Sequence, residues 1–264
     1  MGRFYLPPIF SRFDELAAVL TERDTTKPDG YSMRLDNPAT PANTAELLTS
    51  LALESAIIRP AQQVHGRNIA VIIDANQLRP MGQSLQILHP SESEGHCDGI
   101  ITALPGYLVG VGVADCAAIL IYDPNHKVVA AIHSGWRGTK AEIIPAAVEI
   151  LKDQFKASPA ELIAYISPAA GAASYEVGLE VAEQFDEKYR QPHGEGKFLL
   201  DVSGIVYDQL LAAGVPPENI EHDRRDTMTQ TDSLFSARAD GDSPETPSGR
   251  MFAAIGLRPK SLPS

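Results

Sequence analysis

Apolar positions in this chain fall into two kinds of run. Some are short and continuous or alternating, as strands buried on one or both faces are. Others recur every three to four residues, as an amphipathic helix requires. Among the first, "AIIRPAQQVHG" and "NIAVIIDA" read as strands separated by a turn at Gly66-Arg67-Asn68. "GYLVGVGVADC" reads as a third strand, with glycines where something approaches closely. "AAILIYD" and "KVVAAIH" form a hairpin around Asp123-Pro124-Asn125. "ELIAYISP", "ENIEHD" and "MFAAIGL" are further strands, and "KFLLDVSGIVYDQLLAAGV" is a strand running into a helix. Helical spacing predicts helices in "FDELAAVL", "NTAELLTSLAL", "KAEIIPAAVEILKDQF" and "SYEVGLEVAEQFDEKYR". Two polar stretches, "TERDTTKPDGYSMRLDNPATPANT" and "TQTDSLFSARADGDSPETPSGR", read as loops, and the length of the second marks it as functional or mobile. The order of elements is neither strict βαβ nor all-β. The fold class is therefore α+β, one domain over residues 1–264 with a large mixed sheet and helices outside.

Composition narrows the function classes. Hydrophobic content of 44% and charged content of 21% are those of an ordinary soluble protein. A net charge of −12 argues against a nucleic-acid groove, which needs clustered Lys and Arg. It leaves room for a small anion held by a few arginines. No apolar run approaches bilayer length. "MGRFYLPPIF" lacks the pattern of a signal peptide, and Leu6 breaks the myristoylation pattern. Two cysteines cannot build a disulfide framework, so the expected location is the reducing cytoplasm, with both thiols available for chemistry.

Chemistry concentrates where apolar strands end. His65 in "QQVHG", Cys116 in "VADC" and His133 in "AAIHSGWRG" each precede a small residue or a turn. If the three strands lie side by side, their ends converge. One thiolate and two imidazoles suit Zn²⁺ and leave a fourth position open, as catalytic zinc sites do. Taken singly, each residue has a plainer reading: a lone Cys in an apolar stretch is usually core, and a lone His at a strand end is usually hydrogen-bonded surface. A Cys–His nucleophile pair, with Cys116 attacking and His133 as base, is also open. Asp115 could orient a ligand, carry a proton or cap a turn. In "SGWRGT", Gly135 and Gly138 give backbone N–H groups room to face a ligand. Arg137 could clamp phosphate or carboxylate, whereas Trp136 reads as core ahead of a stacking platform. Cys97, beside His96 after "SESEG", reads as incidental, with Asp98-Gly99 as turn chemistry.

"QVHG", "ADC", "HSGWRG", "SPAAGAASYEVG", "LFSARADG" and "SGRM" stand in an order that resembles the laccase-domain proteins, from about Tyr31 to Leu257. That family was first called multicopper polyphenol oxidase. It is now described as purine nucleoside phosphorylase and adenosine deaminase, and some bacterial members are called peptidoglycan editing factors. The resemblance implies a metal site from His65, Cys116 and His133, holding zinc with copper as the alternative ion. It implies a four-layer α/β/β/α, Cys-hydrolase-like fold with mixed sheets, shared with a toxin deamidase that uses a Cys–His pair. There are departures. A cysteine pair usual before "YEVG" is Ala173-Ser174, and the second Arg of the "FSYRRDG" motif is Ala239. "DTMTQTDSLFSARADG" lacks the usual cysteines. An early "STR.GG" motif is reduced to "TERDTTKPDG", leaving Arg23, and the usual Asn-Arg is Asn43-Thr44. The metal trio is intact and the substrate rim is altered.

The function this implies is metal-dependent chemistry on a purine nucleoside, by phosphorolysis or deamination, with phosphate as co-substrate in the first case. Asp115, Cys116 and His133 are the catalytic candidates. Gln63, Arg23, Asn43, Arg137 and Arg238 are the substrate-binding candidates. Part of the late polar loop, between Ser236 and Arg250, should border the pocket, with Arg238 facing the substrate. Partners are expected to be small molecules, with no nucleic acid or membrane, and the chain a monomer or homodimer. A Cys–His hydrolase or amidase acting on a cell-wall precursor is the rival; a non-catalytic binding module is a further one. A true multicopper oxidase is excluded by counting, since a trinuclear cluster takes more histidines than the 7 present, whereas copper binding with weak polyphenol oxidase activity stays open as an alternative.

Overall fold

The computed structural model describes residues 3–53, 56–80, 85–88, 96–243, 245 and 247–259; the "SESEG" segment lies outside them. Two mixed sheets form the body. The first has seven strands, in the order β1 (Arg3–Tyr5), β2 (Leu16–Glu22), β16 (Met251–Leu257), β8 (Tyr107–Val113), β3 (Ala56–Arg59), β6 (Leu85–Leu88) and β5 (Leu78–Pro80). The second has six: β15 (Ile220–His222), β11 (Ile163–Ile166), β9 (Ala117–Asp123), β10 (Val128–Ser134), β7 (Gly99–Thr102) and β4 (Ile69–Ile72). A small third sheet joins β12 (Glu176–Gly178), β14 (Lys197–Leu200) and β13 (Arg190–Pro192). Among the described residues, five α-helices accompany them: α1 (Thr40–Ser50), α2 (Trp136–Lys140), α3 (Ile143–Phe155), α4 (Leu179–Ala182) and α5 (Val202–Ala212).

The side-chain alternation of the strands builds four layers. On β9, Ala118, Leu120 and Tyr122 face the other sheet, where they meet Val109, Val111 and Val113 of β8 and Met251, Ala253 and Ile255 of β16. The opposite set, Ala117, Ile119 and Ile121, packs against Ile144, Ala147, Val148 and Leu151 of α3 and Val206 and Leu210 of α5. On the far side of the seven-stranded sheet, Leu108, Phe252 and Ala254 meet Leu47, Leu48 and Leu51 at α1. The layers are thus helix, sheet, sheet, helix. Strands covered on both faces must be apolar at every position, which is why "AAILIYD" and "MFAAIGL" show no alternation in sequence.

Two readings of periodicity do not hold. "FDELAAVL" contains strand β2, not a helix. Its Leu and Ala residues favour helix, but Leu16 and Leu20 enter the inter-sheet core while Ala17 and Val19 enter the α1 side, an alternation that pairing with β16 fixes. "SYEVGLEVAEQFDEKYR" is not one helix. It holds strand β12, the single turn α4 and a 3₁₀ turn at Glu187–Tyr189, separated where Gly178 takes an extended backbone and Asp186 caps the next turn.

Candidate functional site

Among the described strands the chain passes between the two sheets repeatedly, and two of these links, β3–β4 and β8–β9, each carry one residue of the trio. β8 ends in the first sheet at Val113 and β9 begins in the second at Ala117, so Cys116 lies on the link. β3 ends in the first sheet at Arg59 and β4 begins in the second at Ile69, so His65 lies on that longer link. His133 alone sits within a strand, β10. Of the three strands expected side by side, β3 and β8 do pair, in parallel, but β10 lies in the other sheet, and loops beyond the strand ends deliver His65 and Cys116.

Both links are held in left-handed backbone, with φ of 59° at His65 and 79° at Asp115. Such conformations in non-glycine residues persist only where neighbours over-determine them. At the first, the buried carboxylate of Asp98 accepts from the His65 amide at 2.9 Å and the Gly66 amide at 2.7 Å. At the second, Asp115 accepts from the Thr227 hydroxyl and the Arg238 amide, both at 2.7 Å, and its own carbonyl accepts from the Ala170 amide.

These restraints bring the three side chains together. The candidate ligand atoms of His65, Cys116 and His133 all lie within 4.8 Å of one another. The imidazole rings are edge to face, 4.8 Å between centroids. Tetrahedral N and S ligands at roughly 2.0–2.3 Å from zinc stand roughly 3.3–3.8 Å apart. The cluster is within about an ångström of that arrangement, and its mix of one sulfur and two nitrogens is a zinc donor set. His133 Nδ1 lies 2.8 Å from Asp98 Oδ1, so the ionised carboxylate accepts a hydrogen bond from Nδ1–H, which keeps the proton of the neutral ring on Nδ1 and the lone pair on Nε2.

The charges agree with this arrangement. Burial alone would raise the Asp98 carboxyl, but the hydrogen bonds from His133 and the Gly66 and His65 amides outweigh it and hold the group below its ordinary range. Burial likewise works against the Cys116 thiolate, yet the His133 charge and the hydrogen bonds from His133 and His65 lower the thiol well below its usual value. His133 moves the other way: burial disfavours its charge, and Cys116 and Asp98 overcome that and raise it. Without a metal, both shifts run in the direction that favours a thiolate at Cys116 beside an imidazolium at His133.

The trio opens onto a cleft of about 770 Å³. Of the residues singled out in sequence, Gln63, His65, Asp115, Cys116, His133, Arg238 and Arg250 line it. Arg238 also donates to the Glu176 carbonyl and lies over the Tyr175 ring. Arg23 lies elsewhere, paired with Asp240 at 2.9 Å and stacked over Phe235. Asn43 is buried and ties α1 to Asp29 and to the Ser32 carbonyl. Arg137 is exposed, with its guanidinium 4.2 Å over the Trp136 ring. Trp136 packs beside Val177, Val202 and Ile205. Ser236 is buried and accepts from the Ala239 amide. Cys97 is core, its thiol pushed up to about 12 by burial.

Asp98, Tyr175 and Arg59 were missed as site residues. For Asp98 the sequence offers only a carboxylate entering the apolar run "GIITAL", 33 and 35 residues from the two histidines that it meets in the fold. The glycines of "SGWRGT" face protein rather than open space. A Cβ on Gly135 would stand 2.8 Å from Cys116 Sγ and 3.3 Å from His65 Cδ2, and one on Gly138 would stand 2.9 Å from the Gly66 carbonyl oxygen. If the trio holds zinc, Gly135→Ala is expected to fold but to bind it on the order of tenfold more weakly, as disturbed second-layer contacts do, in a chelator-competition titration. Unchanged affinity would mean that the Cys116 loop has slack.

The fold and cleft define a mixed α+β protein with a His–Cys–His cluster at a crossover between two sheets. The chain belongs to the multi-copper polyphenol oxidoreductase laccase family, which it matches over residues 30–258. It is 35% identical over 200 residues to a purine nucleoside phosphorylase of Bacteroides thetaiotaomicron, covering 73% of this chain and 70% of that one. It is 32% identical over 205 residues to adenosine deaminase RL5 of an unknown prokaryotic organism, covering 74% and 72%. Its structure is similar to that of YlmD from Geobacillus stearothermophilus, with a TM-score of 0.80 at 26% identity over 96% of this chain and 94% of that one. The Bacillus licheniformis protein YfiH shares the fold, with a TM-score of 0.82 at 23% identity over 97% and 99%. Among the described residues, no helix is long and apolar enough to cross a membrane.

Proposed function

We propose that this protein is a metal-dependent purine nucleoside enzyme, catalysing phosphorolysis of adenosine or inosine, deamination of adenosine, or both. One observation carries the reading: three candidate ligand atoms of zinc-binding type lie within 4.8 Å of one another on the wall of an open cleft. His65, Cys116 and His133 would hold the ion, and when bound it supplies Lewis acidity at its open position. Asp98 keeps the proton of His133 on Nδ1 and so keeps Nε2 available. Asp115 holds the Cys116 link and the Arg238 amide together, coupling one cleft wall to the other. Tyr175 and Arg238 present an aromatic face and a cation suited to a heterocycle with polar substituents. The names of the relatives, purine nucleoside phosphorylase and adenosine deaminase, support the substrate class.

A second reading has its own observation. Cys116, His133 and Asp98 form the nucleophile, base and orienting carboxylate of a cysteine hydrolase, with His133 bonded to Asp98 at 2.8 Å. Metal analysis of freshly purified protein, beside turnover of adenosine and inosine with and without phosphate, separates the two. The expected result is about one zinc per chain and turnover that a strong chelator abolishes. Full turnover of nucleosides by metal-free protein would transfer the chemistry to the thiolate.

A further inference from the structure

The cleft has a second polar feature, on the face of the seven-stranded sheet that meets α1. Arg59, the last residue of β3, is buried to 6% exposure, and its guanidinium lies over the Phe252 ring, 5.1 Å from the centroid. Its Nη1 donates to the Met33 carbonyl. Among the described residues, Nε has no acceptor, no hydrogen bond engages Nη2, and no carboxylate pairs with the group. Asp36 acts on it only at longer range, and Asp36 is itself held by Arg34 through Nε at 2.8 Å and Nη2 at 2.6 Å. Across the cleft Arg250 is likewise spent, on Asp242 at 2.6 Å and on Ser248. Charge therefore balances between Arg34 and Asp36 and between Arg250 and Asp242, and the Arg59 charge is left over.

A buried guanidinium without an anionic partner is costly to keep, and an oxyanion is the group whose geometry its fork matches. Arg59, Gln63 and Gly112 line the cleft of about 770 Å³, whose volume accommodates one. The floor beside Arg59 is Gly112, where a Cβ would stand 3.4 Å from Arg59 Nη2, 3.6 Å from Gln63 Oε1 and 3.8 Å from Arg250 Cβ. Gln63 secures that floor, donating to the Gly112 carbonyl and accepting from its amide, both at 2.8 Å. Gly112 is four residues from Cys116, so an extended chain of roughly 3.3 Å per residue puts this floor at most roughly 13 Å from the trio. One small molecule can reach both.

We propose that Arg59, with Gly112 and Gln63 as its floor, is an oxyanion subsite of the same cleft, filled by a phosphate group: either free orthophosphate or a phosphate ester carried by the substrate. Its placement in the active cleft rests on the nucleoside reading above; its anion binding does not. The chemistry is recognition only, so no bond is made or broken at Arg59.

The test is calorimetric titration of the full chain with inorganic phosphate, adenosine and adenosine 5′-monophosphate, for the parent protein, Arg59→Met and Gly112→Ala. Losing the charge-assisted contact from the Arg59 guanidinium should weaken phosphate binding about 10- to 100-fold. Gly112→Ala keeps the charge but fills the floor, and should weaken it in the same direction. It decides the matter if Arg59→Met fails to fold. Arg59-dependent binding of inorganic phosphate, with the monophosphate no tighter than adenosine, identifies free phosphate as the source. A monophosphate that binds tighter than adenosine by a factor lost in the variants identifies the ester. Parent protein that binds no inorganic phosphate and binds the monophosphate no tighter than adenosine, or folded variants that bind both as the parent does, overturns the subsite. Turnover and metal content are read separately. Nucleoside turnover without Arg59-dependent binding sinks only the subsite; Arg59-dependent binding without metal or turnover sinks only the nucleoside reading.

Discussion

His65→Ala is expected to fold like the parent, bind no zinc at micromolar concentration and lose nucleoside turnover by on the order of a thousandfold, the effect of removing several kcal/mol of Lewis-acid stabilisation. Folding should survive because the His65 side chain is exposed and the grip on its loop is made by backbone. Asp98 holds the amides of residues 65 and 66, which alanine leaves in place. Cys116→Ala and His133→Ala should lose metal and activity to a similar degree, but His133 is buried and bonded to Asp98, so its loss also disturbs packing. His65 is the sharper probe for a second reason. A cysteine hydrolase built on Cys116, His133 and Asp98 has no need of a second imidazole and should keep most of its rate in His65→Ala. Metal content, thermal midpoint and turnover measured on one preparation separate the outcomes. Parent-like turnover by metal-free His65→Ala protein would sink the zinc reading and leave the thiolate as nucleophile.

The parts of this molecule that were legible in sequence are those where one local pattern suffices. The β9–β10 hairpin is bounded by a turn sequence, and α3 and α5 carry apolar residues on the face they bury. β2 was not legible, because "LAAVL" fits a helix until β16 and β1 pair with it from opposite ends of the chain. The trio was legible as three residue types at the mouths of apolar runs, yet its geometry was not. Nothing in "QQVHG" shows that the chain is crossing from one sheet to another, nor that His65 needs left-handed backbone. Asp98 and Arg59 escaped for a related reason. Each looks like an ordinary polar residue at a strand boundary, and only the partners each meets or lacks in three dimensions give it a role. Arg23 and Asn43 show the reverse: singled out from motifs, they are engaged with Asp240 and Asp29 away from the cleft.

Asp98 is where fold and chemistry meet, and Asp98→Asn should expose both at once. The carboxylate is fully buried and accepts from three donors: the His65 amide, the Gly66 amide and His133 Nδ1. An amide side chain has one oxygen and one NH₂ in place of two acceptor oxygens. If its oxygen stays on the loop amides, its NH₂ meets His133 and can be satisfied only when Nδ1 becomes the acceptor. The ring proton then moves to Nε2, the nitrogen that the zinc reading requires to be bare. If the oxygen turns to His133 instead, the NH₂ faces the amides of residues 65 and 66, and the left-handed turn at His65 loses its restraint. Either orientation costs about 3 kcal/mol of stability, the range for breaking a buried charge-assisted cluster. Either also weakens zinc about 10- to 100-fold, the usual effect of removing an orienting carboxylate. Denaturant unfolding of the metal-free protein reads the first effect, and competition with a chelator reads the second. Nitrogen chemical shifts of His133 report which ring nitrogen carries the proton. Parent-like zinc affinity, with the proton still on Nδ1, would show that His133 is oriented by something other than Asp98.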